Sequence, residues 1–223
     1  MYRQPADEPG TIRQQLVSYS VRLLADGMAV GRAGNLSVRL GDTVLITPSG
    51  VSYDDLTAAD ICEVGMAGQL SGPTANASSE TPMHLAVYAA TDAGAIVHTH
   101  SPEVIALSAV GDELPAIHYA IVDLGGPVRV APYRRFGSDD LAREVVAALD
   151  GRRAAILANH GAVTYGATLA KAYERALLLE WLARVYRLAV CAGTPRTLSE
   201  AELDEVAGHA RRIRYGATRG DGR

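Results

Sequence analysis

Apolar residues recur at helical spacing in residues 11–26, at Ile12, Leu16, Tyr19, Leu23 and Leu24, which predicts an amphipathic helix. Thr11 is its expected cap and Gly27 its stop. The spacing then changes to that of strands. Residues 36–40 and 44–47 predict a hairpin across Gly41-Asp42 that ends in the turn Pro48-Ser49-Gly50, and residues 61–65 predict a further strand. Ser78-Ser79-Glu80, with Pro82 in the first turn, opens an expected helix over 81–90. Residues 95–100 read as a strand, and Ser101-Pro102 begins a short helix running to Ala109. A strand over 127–130 and a capped helix over 138–149 follow. Residues 154–158 and 162–165 form an expected strand pair around Asn159-His160-Gly161. The longest helix is expected from Thr168 to about Ala192, and a shorter one from Ser199 to about Ala210. Helices alternating with hairpin-like strand pairs predict a layered α/β domain whose sheet is largely antiparallel or mixed.

Composition narrows this picture. A chain of 223 residues, 48% hydrophobic, can bury a substantial core as one domain. Residues 1–10 and the Gly- and charge-rich tail over 217–223 are expected to fray, leaving 11–216 as the folded unit. The net charge is −4, and no Lys/Arg run exceeds two residues, so small molecules rather than nucleic acid are the expected partners. The opening MYRQPADEPG lacks the basic-then-apolar pattern of a secretory signal, and no apolar stretch approaches the roughly 18 residues of a membrane span. Cys62 and Cys191 fit no CxxC spacing. Together these predict a reduced protein of the cytoplasm with no membrane partner. Among 21 basic residues only Lys171 is a lysine, and it falls on an expected solvated helix face, which argues against lysine imine chemistry.

The histidines carry the candidate chemistry. His98 and His100 are two apart in an expected strand, so their imidazoles point to one side, as a metal chelate or as two polar strand residues. His160 sits at the Asn-His-Gly turn, either as a third ligand or as a plain loop residue. Glu80, at a helix mouth, is either a cap or a carboxylate ligand. Three histidines and a carboxylate would suit Zn²⁺ and leave it able to polarise a carbonyl. His84 shares the helix face of Glu80 and is expected to pack or hydrogen-bond rather than ligate; His209 is expected at the surface. Gly34-Asn35-Leu36-Ser37, Thr47-Pro48-Ser49-Gly50 and Ser78-Ser79 place small donors at turns, where a phosphate could be held without lysine or where they simply form turns and caps.

The segments GNLS at 34–37, ITPSG at 46–50, SSE at 78–80, IVHTH at 96–100, PAIHY at 115–119, APYRRFG at 131–137, NHG at 159–161 and IRYG at 213–216 together resemble the class II aldolase/adducin family, and within it the L-fuculose-1-phosphate aldolases. The resemblance implies a three-layer α/β/α domain with a mainly antiparallel central sheet, assembled as a homotetramer with active sites between subunits. It makes His98, His100, His160 and Glu80 ligands of Zn²⁺, for which Mn²⁺ or Co²⁺ could substitute, and it makes Glu80 the proton-abstracting base. Asn35, Ser49, Gly50, Ser78 and Ser79 match the family's phosphate-binding positions, with Ser49 where the fuculose enzymes carry Thr. Tyr119 matches a tyrosine that reaches a neighbour's site to protonate the aldehyde oxygen, and Tyr215 one at the aldehyde end of the pocket. The implied reaction is reversible cleavage of a ketose 1-phosphate to dihydroxyacetone phosphate and an aldehyde such as L-lactaldehyde. Thr81-Pro82 leans instead toward the sugar-phosphate 4-epimerase branch, so an epimerase, a dehydratase or a decarboxylase on the same metal site is the alternative.

Overall fold

The computed structural model describes residues 9–71 and 76–213. Tyr215 and the two expected frayed ends, apart from Pro9 and Gly10, lie outside them. The first helix, α1, spans Pro9–Ala25 and so begins two residues before the predicted cap at Thr11. A proline is tolerated there because a helix's first turn leaves its N–H groups unpaired in any case.

The strands are β1 (Asn35–Leu40), β2 (Thr43–Ile46), β3 (Cys62–Gly65), β4 (Leu70–Ser71), β5 (Ala95–Thr99), β6 (Glu113–Leu114), β7 (Val128–Ala131), β8 (Ala154–Leu157) and β9 (Gly161–Gly166). Among the described residues they form one nine-stranded sheet in the order β4-β3-β2-β1-β5-β9-β8-β7-β6. Neighbours are antiparallel except β7 and β8, which run parallel, so the sheet is mixed and mostly antiparallel. The remaining helices are α2 (Thr81–Ala90), α3 (Pro102–Ser108), α4 (Asp139–Ala148), α5 (Leu169–Ala192) and α6 (Glu200–Arg212). A 3₁₀ helix that the pattern did not predict spans Tyr119–Leu124.

Every residue of β5, β8 and β9 is buried, which requires cover on both faces of the sheet. The alternation along β5 shows how it is met. Ile96 joins a buried cluster with Met83 and Val87 of α2 and Val145 of α4, whereas Val97 joins another with Leu16 of α1 and Tyr173 of α5. Ala154 and Ile156 of β8 pack toward α3 and the C-terminal half of α5, while Ala155 and Leu157 join the α2/α4 side. His98 follows Ile96 by two residues and therefore faces the α2 side, just where α2 begins.

Candidate active site and metal centre

Three local structures bring the candidate ligands together. His98 is the penultimate residue of the buried strand β5, with Asn35 of β1 opposite it on one side and Val163 of β9 on the other. His100 lies one residue past the strand, its N–H donating to the Met28 carbonyl at 2.9 Å. His160 follows Asn159, whose φ of 54° makes it the non-glycine residue with left-handed backbone among those described, a conformation asparagine tolerates. The next residue must be glycine for a different reason. A Cβ on Gly161 would stand 2.0 Å from the Thr99 carbonyl oxygen, so the missing side chain lets β9 close on the end of β5. Glu80 occupies the cap position of α2 but makes no side-chain cap hydrogen bond, so its carboxylate is turned from the helix toward the histidines.

The result is a tight group. Ligand atoms of Glu80, His98, His100 and His160 all lie within 4.8 Å of one another. The three rings meet edge to face, with centroids 4.8 to 5.0 Å apart. His98 Nε2 is 2.9 Å from Glu80 Oε2 and 3.0 Å from His100 Nε2, and His160 Nε2 is 3.3 Å from Glu80 Oε1. A tetrahedral zinc with arms of about 2.0–2.1 Å spaces its ligand atoms about 3.3 Å apart, so these donors fit a divalent metal. Two details support that fit. Glu80 Oε1 is buried and makes no hydrogen bond, and the Ala162 carbonyl accepts from His98 Nδ1 at 2.9 Å, which turns the other nitrogen of that ring into the group.

A second feature runs away from Glu80 into the protein. Glu80, His84 and Tyr88 are four residues apart along α2, and they meet Asn35 and Ser37, two apart on β1. Successive separations are 3.0 Å from Asn35 Nδ2 to Glu80 Oε2, 2.5 Å from His84 Nε2 to Asn35 Oδ1, 2.6 Å from Ser37 Oγ to His84 Nδ1, and 2.8 Å from Tyr88 OH to Ser37 Oγ. Chemistry sets the direction of every bond. An ionised carboxylate only accepts, so Asn35 turns its amide nitrogen to Glu80 and its oxygen to His84. His84 must then donate from Nε2, and because burial pushes its pKa down to about 3 it is neutral and accepts at Nδ1 from Ser37. Ser37 in turn accepts from Tyr88. All five groups are buried, and all four donors point toward Glu80. His84 is thus a hydrogen-bonding residue outside the ligand group, as expected.

Burial dominates the electrostatics of the group. It pushes His100 down to about 3 and His160 to about 4, helped by the neighbouring His98 charge. Burial pulls on His98 in the same direction, but the charge and hydrogen bond of Glu80 outweigh it and raise its pKa. Burial would likewise raise Glu80, yet His98, His160 and Asn35 hold it well below the usual carboxylate range. For His84, His100 and His160 the folded pKa is depressed from the ordinary 6.5, so their contribution to stability is complete above that value and is lost as pH falls toward 4. Metal-free protein is therefore expected to lose stability steeply between about pH 6.5 and about pH 4.5, with a slope approaching three protons. Urea unfolding across that range measures it, and a flat profile would contradict neutral histidines in the folded state.

The group opens onto a cavity of about 310 Å³ lined by Asn35, Ser49, Gly50, Ser78, Ser79, Glu80, His100 and His160, so the expected phosphate and metal positions converge. Arg32, Tyr133, Arg134 and Phe136 also line it, and sequence reasoning assigned them no role. The last three lie in the APYRRFG segment, where two aromatics flanking a pair of arginines are the signal the sequence offers, and both aromatics are exposed. Tyr119 is not in this cavity. It is half-exposed at the start of the 3₁₀ helix, stacked on His118, and lines a separate cavity with Lys171, Arg153 and Ile213. Lys171 is ion-paired with Asp123 at 3.0 Å rather than simply solvated, and His209 is exposed as expected.

Residues 14–187 match the family described as Class II Aldolase and Adducin N-terminal domain, and the chain belongs to it. It is 38% identical over 197 residues to the 5-methylthioribulose-1-phosphate/5-deoxyribulose-1-phosphate aldolase of Rhodospirillum rubrum, covering 87% of this chain and 89% of that one. Identity to the L-fuculose phosphate aldolase of Escherichia coli K12 is 36% over 203 residues, 89% of this chain and 94% of the other. A solved L-fuculose 1-phosphate aldolase superposes with a TM-score of 0.87 at 33% identity, covering 90% of this chain and 96% of its own.

Proposed function

We propose that this chain is a metal-dependent aldolase that reversibly cleaves a ketose 1-phosphate to dihydroxyacetone phosphate and a short aldehyde. The observation that carries the reading is one cavity in which Glu80 and three histidines adjoin the hydroxyl-bearing turns at 48–50 and 78–79. Zn²⁺ is the metal proposed, held by Glu80, His98, His100 and His160; when bound it supplies Lewis-acid polarisation of the substrate carbonyl. Asn35, Ser49, Gly50, Ser78 and Ser79 hold the phosphate, which fixes the reacting carbon against Glu80. Asn35 still has one amide N–H to offer after its bond to Glu80. In the condensing direction Glu80 takes a proton from C3 of dihydroxyacetone phosphate, C3 bonds to the aldehyde carbon, and Tyr119 of a neighbouring subunit gives its proton to the aldehyde oxygen. Tyr215 completes the aldehyde end.

Tyr133 and Phe136 favour an aldehyde with an apolar end, since both are more than half exposed yet line the cavity. L-fuculose 1-phosphate and 5-deoxyribulose 1-phosphate both release such an aldehyde, ending in a methyl group. The placement of Tyr119 outside the cavity supports a homotetramer with shared sites, and the helices on both sheet faces support the three-layer reading. The cytoplasm is the proposed setting.

The test is enzyme-coupled detection of dihydroxyacetone phosphate from these two sugars, with zinc and after chelation. Metal-dependent release supports the aldolase. A zinc-loaded protein that returns only an epimerised or dehydrated sugar overturns it in favour of the alternative chemistry. Tyr119→Phe is expected to keep its zinc and lose about 10²-fold in turnover. Loss of zinc from this variant would contradict the role given to Tyr119.

A further inference from the structure

Arg32 sits in a turn built to hold it over the cavity. Gly31 and Gly34 have φ of 64° and 77°, and the Ala33 N–H donates to the Val30 carbonyl at 3.2 Å between them. The base of this turn is fixed. Met28 and Ala29 are buried in the core, Tyr53 donates its hydroxyl to the Gly34 carbonyl at 2.6 Å, and a Cβ on Gly34 would come within 2.8 Å of the His98 carbonyl oxygen. From there Arg32 lines the cavity, its Nη1 donating to the carbonyl of Gly50, another lining residue, at 3.0 Å. One of its five N–H donors is used, and the rest have no carboxylate at ion-pair distance among the described residues. Arg134, the other cation lining the cavity, is held by Glu144 at 2.6 Å.

The remaining phosphate positions are hydroxyls, an amide and backbone groups, all of them neutral. A phosphate monoester carries about −1.5 to −2 charge near neutral pH, and neutral donors alone do not distinguish it from an uncharged end of a sugar. We infer that Arg32 is the specificity-determining cation of the phosphate site, pinned by the Gly50 carbonyl so that its free guanidinium edge pairs with the phosphate of a ketose 1-phosphate. This rests on the aldolase reading and adds to it a charge requirement that none of its other residues meets.

The probe is inorganic phosphate titrated calorimetrically into the zinc-loaded full chain, alongside the cleavage kinetics. R32Q is expected to weaken phosphate binding about 10- to 100-fold and to raise KM by a similar factor, with kcat within a few-fold of the parent. A loosened turn could weaken binding too, so salt dependence is the deciding readout. Raising NaCl from about 50 to about 300 mM should weaken phosphate binding more steeply in the parent than in R32Q, and R32K should recover the steep dependence with part of the affinity. Equal phosphate affinity in R32Q and parent, or weaker binding with an unchanged salt slope, overturns the inference while leaving the aldolase reading intact. A zinc-loaded parent that neither binds phosphate nor cleaves any ketose 1-phosphate overturns both.

Discussion

Glu80→Gln in zinc-saturated protein is expected to cleave ketose 1-phosphate about 10²- to 10⁴-fold more slowly than the parent, the range a positioned general base contributes. The exchange is nearly isosteric, so α2 and the buried chain behind it should survive. Asn35 still presents an N–H, which the glutamine oxygen must accept because His84 fixes the other end of that amide. The glutamine NH₂ then takes the place of Oε1 and faces His160, where it donates to a ring nitrogen that would otherwise bind metal, while the oxygen stays beside His98. Zinc affinity is thus expected to fall as well, and the rate must be read at saturating zinc. More than a tenth of the parent rate at full occupancy would place the base elsewhere.

His98→Ala is expected to reduce activity to background and to leave less than one zinc per ten chains after dialysis, read by metal analysis. The side chain is fully buried between two strands, and the Ala162 carbonyl accepting from Nδ1 fixes its orientation toward the group. The same change harms the metal-free fold. Glu80 would keep its burial and lose its principal counter-charge, and breaking such a buried pair typically costs roughly 3–5 kcal/mol. The urea midpoint of metal-free His98→Ala should fall accordingly. Stoichiometric zinc with preserved activity in this variant would remove His98 from the site.

Much of the fold is written in local periodicity. The central strands β5, β8 and β9 stand out as apolar runs because they are covered on both faces, and α5 is long enough for its pattern to dominate. The two-residue strands β4 and β6 carry no period at all, and the 3₁₀ helix at Tyr119 reads as a short apolar run that fits neither template. The site divides the same way. His98 and His100 are legible as a pair because strand geometry alone aligns them. Arg32 and Phe136 belong to loops more than 100 residues apart in the chain, and their meeting in one cavity is a product of tertiary folding. The capping alternative for Glu80 was equally legible from sequence, and only the orientation of its carboxylate decides against it.

The chain from Tyr88 to Glu80 makes the two oxygens of that carboxylate unlike. Oε2 receives both Asn35 and His98, while Oε1 makes no hydrogen bond and faces only His160 Nε2, at 3.3 Å. Every proton along the chain is already committed in the direction of Glu80, so the interior has nowhere to put another one. The open position for a proton on the carboxylate is therefore Oε1, on the side of His160 and the cavity. The protein behind Glu80 offers no second exit, so a hydrogen taken up by Glu80 as the proposed base returns by the cavity side.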